Sequence, residues 1–287
     1  MKSVKVCATS ANLGPGFDTL GIALGLYNEY GFKESEEYEL VGFDSRFDIS
    51  HNLVLASYKK LFEYFGLPPK PIHIEQLHQD IPVSRGLGSS SACIVAGLRI
   101  ANEIIGNRAD VHGLLKLAST MEGHPDNVAP ALLGGLVVSS LEEGEVRAKR
   151  LRLSPDLVFT LLIPPFELST SLARGALPKS VSMKDATRNI AHALFLIKGL
   201  EEGDIGLIKD CIHDYLHVPY RLPLIEGAKE VMEKVSNLGA AITISGAGST
   251  LIAISKNSIV DKLIGIVPAS WGIREAKVET KGSEANG

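Results

Sequence analysis

Cysteine is scarce in this 287-residue sequence, and the three that occur, Cys7, Cys93 and Cys211, are far apart and form no C-x-x-C pair. A disulfide framework or a zinc site of common spacing is therefore not expected. Basic residues are not in excess either, because 29 Lys and Arg face 33 Asp and Glu, which gives a formal net charge of -4. This balance excludes nucleic acid or an anionic membrane as the main partner.

The sequence also lacks an apolar run suited to a membrane span. Val235–Ser255 contains no charged residue, but it has glycine at positions 239, 246 and 248 and several hydroxyl side chains. This composition predicts a buried hairpin, with two short strands around a glycine turn. Met1–Lys5 is not followed by the apolar region of a signal peptide. Together with the unpaired cysteines, these features predict a cytoplasmic protein.

The overall composition is typical of a globular protein. Hydrophobic residues make up 45% of the chain and charged residues 22%, which is enough to form a substantial core. At roughly 150 residues per domain, the length predicts two domains or one large α/β unit, and we place a domain boundary near Ser154–Pro155, between residues 1–154 and 155–287. Strand and helix patterns occur in both halves, which predicts an α+β fold. No large apolar side chain follows Glu279, so we expect a frayed tail.

The clearest chemical signal is the loop Pro82–Ala92, with the sequence PVSRGLGSSSA, which leads directly into an apolar helix. Glycine lets the backbone approach an anion, and the free N–H groups of a helix that begins near Ser89 favour a phosphate there. Serine hydroxyls can add hydrogen bonds or a magnesium ligand. The spacing is not that of a Walker A loop, which also needs a lysine. A flexible linker capped by serines has a similar composition, although the long apolar helix argues against it.

A second polar loop, Ser10–Asp18, follows the first strand. Its glycines and proline force a tight turn that presents Asn12 and Asp18. A surface turn whose polar side chains bond to the local backbone would have the same pattern.

A third loop, Glu122–Asn127, has the sequence EGHPDN and gathers two carboxylates, an imidazole and an amide. Glu122 suits a magnesium ion, and His124 or Asn127 suits the orientation of a substrate. The alternative is that Asp126 caps the next helix and His124 bonds to a loop carbonyl.

The second half contains two arginines beside turns, in Thr170–Arg174 and His217–Arg221. Two such side chains in one cleft would form a carboxylate site, whereas each alone is a common surface charge. The later segment Ser245–Thr250 has the sequence SGAGST, but it lacks the third glycine of a dinucleotide-binding fingerprint and lies between two strands.

In this order and at these spacings, the loops resemble the motifs of the GHMP kinases, the superfamily of galactokinase, homoserine kinase, mevalonate kinase and phosphomevalonate kinase. Pro82–Ala92 and Ser245–Thr250 match the whole superfamily. The loops that resemble the homoserine kinases in particular are Ser10–Asp18, Glu122–Pro130, Thr170–Arg174 and His217–Arg221.

The resemblance implies an N-terminal domain like domain 2 of ribosomal protein S5 and a C-terminal ferredoxin-like domain, with the active site between them. It implies an ATP phosphotransferase with an alcohol acceptor, which phosphorylates the hydroxyl of L-homoserine in threonine biosynthesis. ATP and Mg²⁺ are the implied cofactors, the partners are small molecules, and a homodimer is consistent with the superfamily.

The resemblance also assigns residues to these ligands. Asn52 would lie near the nucleotide, whose phosphates would lie against Pro82, Arg85, Gly86, Leu87, Gly88, Ser89, Ser90 and Ser91. Ser90 and Glu122 would hold magnesium. The amino acid would contact Asn12, Asp18, His124 and Thr170 around its backbone and amino group, and Arg174 and Arg221 at its carboxylate.

Asn127 would face the reacting hydroxyl, which makes Asn127, Glu122 and Ser90 the implied catalytic residues. Mevalonate kinases have an aspartate base at the position of Asn127, and an amide cannot accept a proton in that role. Positioning and charge neutralisation supply most of the acceleration of phosphoryl transfer, so we expect direct attack without a strong base. We expect the adjacent Asp126 to point away from the site.

Two alternatives remain at this point. One is a kinase of the same superfamily that acts on mevalonate, a sugar or another hydroxy acid. The other is a ligand sensor that has kept the fold and lost the chemistry. Such a sensor would not need Ser90, Glu122 and an intact loop Pro82–Ala92, which we call the phosphate loop.

Overall fold

Two β-sheets organise the chain. The structure is a computed structural model that describes the backbone of residues 1–286 and the side chains of residues 1–283. In chain order, the strands are β1 (Lys2–Ala11), β2 (Leu20–Glu34), β3 (Glu39–Val41), β4 (Ile72–Gln79), β5 (Leu136–Glu142), β6 (Glu145–Leu151), β7 (Val158–Ile163), β8 (Ala241–Ile244), β9 (Leu251–Ser255), β10 (Gly272–Ala276) and β11 (Glu284–Asn286).

Helices connect many of the strands and pack against the sheets. They are α1 (Leu53–Tyr64), α2 (Ser89–Ile104), α3 (Val111–Glu122), α4 (Val128–Leu133), α5 (Thr170–Gly175), α6 (Met183–Glu202), α7 (Ile205–Cys211), α8 (Val218–Arg221), α9 (Ala228–Asn237) and α10 (Val260–Leu263). Side chains that accept a hydrogen bond from the first turn cap several of them, namely Asn52, Asp110, Ser169, Ser182 and Asp204. No described helix combines the length and the apolar composition that crossing a membrane requires.

The first sheet has seven strands, in the order β11-β1-β2-β4-β3, and β5 joins it by pairing with the first residues of β2 and with β6. Helix α2 packs against both α1 and β1. Gly97 makes this possible, because a Cβ atom there would lie 2.1 Å from the carbonyl oxygen of Val54 in α1. The close packing of α1 and α2 fixes the position of α2, whose first residues line the cavity described below.

The second sheet has four antiparallel strands in the order β10-β7-β9-β8. Helices connect β7 to β8 and β9 to β10, which is the β-α-β-β-α-β arrangement of ferredoxin-like domains. The hairpin predicted within Val235–Ser255 is present as β8 and β9, whose residues are all buried. Its turn, residues 245–250, projects toward the first sheet, where Gly246 N–H donates to the Ala11 carbonyl.

The prediction of a frayed tail was wrong for residues 284–286. These residues form β11 and pair with Ser3–Lys5, and Ser283 N–H donates to the Ala131 carbonyl at 3.1 Å. The segment is held by backbone hydrogen bonds, which do not need the large apolar side chains whose absence suggested fraying. Gly287 lies outside the described residues, and the division into residues 1–154 and 155–287 stays a prediction.

Candidate active site

A cavity of about 410 Å³ lies where loops from both sheets meet. Most residues that the sequence singled out line it. These are Asn12, Asp18, Asn52, Arg85, Gly86, Gly88, Ser89, Ser90, Glu122, His124, Asn127, Thr170, Arg174 and Arg221. Pro82, Leu87 and Ser91 are not among the lining residues. Leu87 and Ser91 are fully buried.

One end of the cavity is formed by the start of α2. Gly88 caps this helix in a left-handed conformation, with φ of 70°, and supplies no side chain to its first N–H groups. The first intrahelical hydrogen bond runs from Ala92 N–H to the Gly88 carbonyl at 2.8 Å. The preceding N–H groups are therefore available to an anion, and the positive end of the helix dipole favours one.

The phosphate loop is supported by the turn 245–250. Ser245 Oγ donates to the Gly86 carbonyl at 2.6 Å, and Thr250 N–H donates to the Arg85 carbonyl at 3.1 Å. The two backbones are so close that a Cβ on Gly86 would lie 2.2 Å from the Ser245 carbonyl oxygen. Position 86 therefore requires glycine. The turn 245–250 fixes the phosphate loop, although no site residue was predicted in this turn.

Glu122 faces the same helix end. Ser90 Oγ donates to its Oε2 and Ser91 Oγ to its Oε1, both at 2.9 Å. Glu122 is the last residue of α3, so two helices bring together the hydroxyl and the carboxylate. These oxygen donors are the type that Mg²⁺ prefers, and Ser90 and Glu122 fit that ion.

The other end of the cavity is formed by the loop after β1. Asn12 adopts a left-handed conformation with φ of 69°, donates through Nδ2 to the Gly246 carbonyl at 2.8 Å, and accepts from Asp18 N–H at 2.9 Å. Arg174 forms a bidentate pair with Asp18 at 2.9 and 3.0 Å. This hydrogen bonding raises the pKa of Arg174. The pair also joins residues from the two halves of the chain.

Arg221 lies deeper than Arg174. Only 1% of it is exposed, Nη1 donates to the Gly246 carbonyl at 3.1 Å, and the guanidinium carbon lies 5.3 Å from the centre of the Phe17 ring. Burial lowers the pKa of Arg221 most, and repulsion from Arg174 lowers it further. The two arginines predicted to converge do so.

Asp126 is a site residue that the sequence analysis excluded, and that expectation was wrong. The carboxylate lines the cavity, is 1% exposed, and lies 2.5 Å from His124 Nδ1. Helix α4 begins only at Val128, so Asp126 belongs to the turn before the helix and not to its first turn. Burial alone would lower the pKa of His124, but the hydrogen bond and charge of Asp126 outweigh it and raise that pKa. Ligand atoms of Asp18, His124 and Asp126 all lie within 4.8 Å of one another.

Asn127 lies between the two ends of the cavity. Its Oδ1 accepts a hydrogen bond from Thr9 Oγ1 at 2.8 Å, and its amide nitrogen has no partner within the described part of the chain. The side chain can therefore donate to a ligand oxygen but cannot take up a proton. Thr9 carried no signal in the sequence, because it is one of several small residues on a buried strand.

The remaining predicted residues have local partners as well. Asn52 Oδ1 accepts from Leu55 N–H at 3.0 Å, and Thr170 opens α5. Arg85 donates to the carbonyls of Val83, Pro164 and Pro165 at 2.8 to 3.1 Å, so its guanidinium holds the loop after β7. Beside Asn52 the cavity has an apolar wall, which the sequence analysis missed because its residues come from separate elements: Tyr30, Phe43, Phe47, Leu53 and Val54.

Comparisons with known proteins show the family of the chain. Residues 52–135 match the GHMP kinases N terminal domain, and residues 196–272 match the GHMP kinases C terminal domain. The chain is 45% identical over 256 residues to the homoserine kinase of Clostridium beijerinckii, covering 88% of this chain and 86% of that protein. It is 40% identical over 296 residues to the homoserine kinase of Clostridium botulinum, covering 100% of this chain and 99% of that protein.

A solved structure extends the similarity to the fold. The crystal structure of homoserine kinase from Cytophaga hutchinsonii superposes with a TM-score of 0.87 at 30% identity, covering 99% of this chain and 97% of that chain. The predicted resemblance and the predicted α+β fold are both confirmed. The chain therefore belongs to the homoserine kinase family of the GHMP kinases.

Proposed function

We propose that this protein transfers the γ-phosphoryl group of ATP to the side-chain hydroxyl of L-homoserine, forming O-phospho-L-homoserine and ADP for threonine biosynthesis. The observation that carries the proposal is the charge arrangement at one end of the cavity. Two carboxylates, of Asp18 and Asp126, and two guanidinium groups, of Arg174 and Arg221, face the same space. An α-amino acid zwitterion carries one charge of each sign and complements this arrangement.

The ammonium group of the substrate would lie among Asp18, His124 and Asp126, whose polar atoms are within 4.8 Å of one another. Its carboxylate would bind Arg221, whose Nη2 has no hydrogen-bond partner among the described residues and which is buried enough to make the pair strong. Arg174 is more exposed and is already paired with Asp18, so it would support both charges. Asn12 and Thr170 would complete the wall.

The nucleotide would occupy the opposite end. Its phosphates would bind the free N–H groups at the start of α2, and its base would lie against the apolar wall beside Asn52. Ser90 and Glu122 would hold Mg²⁺, which neutralises phosphate charge when bound.

Asn127 would orient the acceptor hydroxyl between the two ends. Its amide nitrogen would donate to a ligand oxygen, while Thr9 fixes the rotation of the amide. No side chain is assigned as proton acceptor, because Asn127 cannot accept one and Asp126 is hydrogen-bonded to His124. Catalysis would then depend on alignment of the hydroxyl with the γ-phosphorus and on charge neutralisation.

The proposal is tested by magnesium-dependent ADP release from ATP with homoserine, mevalonate, galactose, shikimate and no acceptor in parallel. Turnover with homoserine alone supports it. Turnover with another acceptor would keep the phosphate site and discard the amino-acid site, and ATP binding without turnover would favour a sensor.

The carboxylate site is tested by Arg221→Ala. Loss of a buried, charge-assisted pair costs about 2 to 4 kcal/mol, so kcat/KM for homoserine should fall by roughly 30-fold to 1000-fold, mainly through KM, while the KM for ATP is retained. Unchanged homoserine kinetics would remove Arg221 from the site.

We also propose that the protein acts in the cytoplasm on small molecules alone and without nucleic acid. The net charge of -4 supports the absence of a nucleic-acid partner, since polyanion binding needs a basic surface. The homodimer stays a prediction, and sedimentation analysis of the purified protein tests it.

A further inference from the structure

His217 contacts Arg221 but is not among the residues that line the cavity, and the proposed reaction gives it no role so far. It precedes α8, none of its surface is exposed, and its ring stacks on Phe17 at 5.3 Å between centroids. Nε2 lies 2.8 Å from the Gly14 carbonyl oxygen, and Nδ1 lies 3.3 Å from Arg221 Nη1. The imidazole thus bridges the loop after β1 and the guanidinium.

The two partners determine where the imidazole proton lies. A carbonyl oxygen only accepts, so Nε2 must carry the proton that bonds to Gly14. A guanidinium only donates, so Nδ1 must present its lone pair to Arg221. Only the neutral imidazole with a proton on Nε2 satisfies both contacts.

We propose that His217 is a positioning residue for the substrate carboxylate, because its neutral Nδ1 holds Arg221 with Nη2 directed at the cavity. The inference rests on the proposed function and adds a residue to it. The Nη1 group is shared between His217 and the Gly246 carbonyl, and Nε faces the Ala173 carbonyl at 3.5 Å. Without the imidazole acceptor, the guanidinium would lose one of the three contacts that fix its rotation.

The charges around the imidazole determine its response to pH. Asp214, in the preceding turn, lies 3.7 Å from Nε2 through an oxygen that also accepts three backbone N–H groups. Arg221 faces the ring from α8, and Asp18 acts on it from the loop after β1 while paired with Arg174 from α5. Burial lowers the pKa of His217 and Arg221 lowers it further, whereas Asp214 and Asp18 oppose them.

Protonation of His217 would break the arrangement. It would place an N–H group against the Arg221 N–H group and two cations in contact. Because the pKa of His217 is lowered, this step falls below the ordinary histidine value of about 6.5. The KM for homoserine should therefore rise as the pH falls through that region, while the KM for ATP changes less.

Two substitutions separate positioning from a structural role, since both remove the ring and its stacking on Phe17. His217→Gln places an amide N–H near the position of Nε2, so it keeps the tie to Gly14 and loses the acceptor for Arg221. His217→Asn places an amide oxygen near the position of Nδ1, so it keeps the acceptor and loses the tie to Gly14.

We expect His217→Gln to raise the KM for homoserine about tenfold, with kcat and the KM for ATP nearly unchanged, as for loss of one hydrogen bond to a charged group. His217→Asn should stay within about twofold of the parent protein and should lose the rise in KM at low pH. Titration of His124 would persist in both variants and would occur at higher pH, because the pKa of His124 is raised.

A normal homoserine KM in His217→Gln, or an equal defect in both variants, would overturn the proposal and leave His217 as an anchor of the loop. If neither variant folds by circular dichroism, the parent protein decides the question, because a homoserine KM that is flat at low pH contradicts it. No turnover of homoserine by the parent protein would refute the proposed function instead, so the two failures are distinguishable.

Discussion

Glu122→Gln isolates the charge of the proposed magnesium site from its shape. The carboxylate accepts hydrogen bonds from Ser90 and Ser91 at 2.9 Å, and a glutamine of the same shape can accept from one hydroxyl and donate to the other. Hydroxyl groups rotate and serve in either role. The substitution should therefore retain the fold and remove one negative charge from the start of α2.

The expected change in magnesium dependence follows from electrostatics. A carboxylate and a divalent cation about 4 Å apart attract by roughly 8 kcal/mol at an effective dielectric constant of about 20. Loss of water from the ion offsets most of this attraction. If about a quarter remains, some 2 kcal/mol, the Mg²⁺ concentration that gives half-maximal rate should rise roughly 30-fold.

The assay is the initial rate of ADP release at saturating homoserine as free Mg²⁺ is varied. The control is Glu145→Gln, which changes the net charge equally but breaks only a surface pair with Lys116 outside the cavity lining. Equal magnesium dependence in Glu122→Gln, Glu145→Gln and the parent protein would refute the assignment of Glu122 to the metal site. A melting temperature close to that of the parent would show that the fold is retained.

Two further predictions concern the loop and the imidazole. Gly88→Ala would place Cβ 2.0 Å from Thr9 Oγ1 at a φ of 70°, so the free energy of unfolding should fall by about 2 to 4 kcal/mol and ATP binding should be lost; Gly106→Ala, with φ of 80° and open space, should cost only about 1 kcal/mol. Urea denaturation and calorimetric titration of ATP measure both, and equal costs would contradict the steric argument. The pKa of His124 is raised in the folded protein, so its stabilisation is complete below the unfolded value and is lost as the pH rises through the folded value. The stability difference between the parent protein and His124→Gln should accordingly be larger at about pH 5.5 than at about pH 8.5, and a constant difference would exclude the linkage.

The parts of this structure that the sequence predicted are local. The hairpin of β8 and β9 was predicted because its two apolar strands and its glycine turn follow one another within Val235–Ser255. The phosphate loop is equally local, since glycines, serines and the apolar helix follow one another in the chain. Glu122 and Ser90 could be paired in advance only through the family resemblance, as they lie 32 residues apart.

The missed features depend on contacts between distant segments. Strand β11 is ordered by backbone pairing with β1, so its side chains carry no signal. Asp126 was expected to point away from the site, but it lies in the turn two residues before α4, and a difference of this size in a helix boundary turns a side chain from one face to another. The apolar wall beside Asn52 combines residues of β2, α1 and the loop between β3 and α1, and no periodicity in one element reveals it.

The turn between β8 and β9 explains how the two ends of the cavity keep their separation. The Gly246 carbonyl accepts from both Asn12 Nδ2 and Arg221 Nη1, which fixes the amino-acid end, and Ser245 Oγ donates to the Gly86 carbonyl, which fixes the phosphate end. A single buried turn of the second sheet therefore sets the distance between Arg221, which we propose binds the substrate carboxylate, and the loop that we propose binds the phosphates. Because that distance must match the chain length between carboxylate and hydroxyl in the acceptor, the turn limits which hydroxy amino acids can be aligned for transfer.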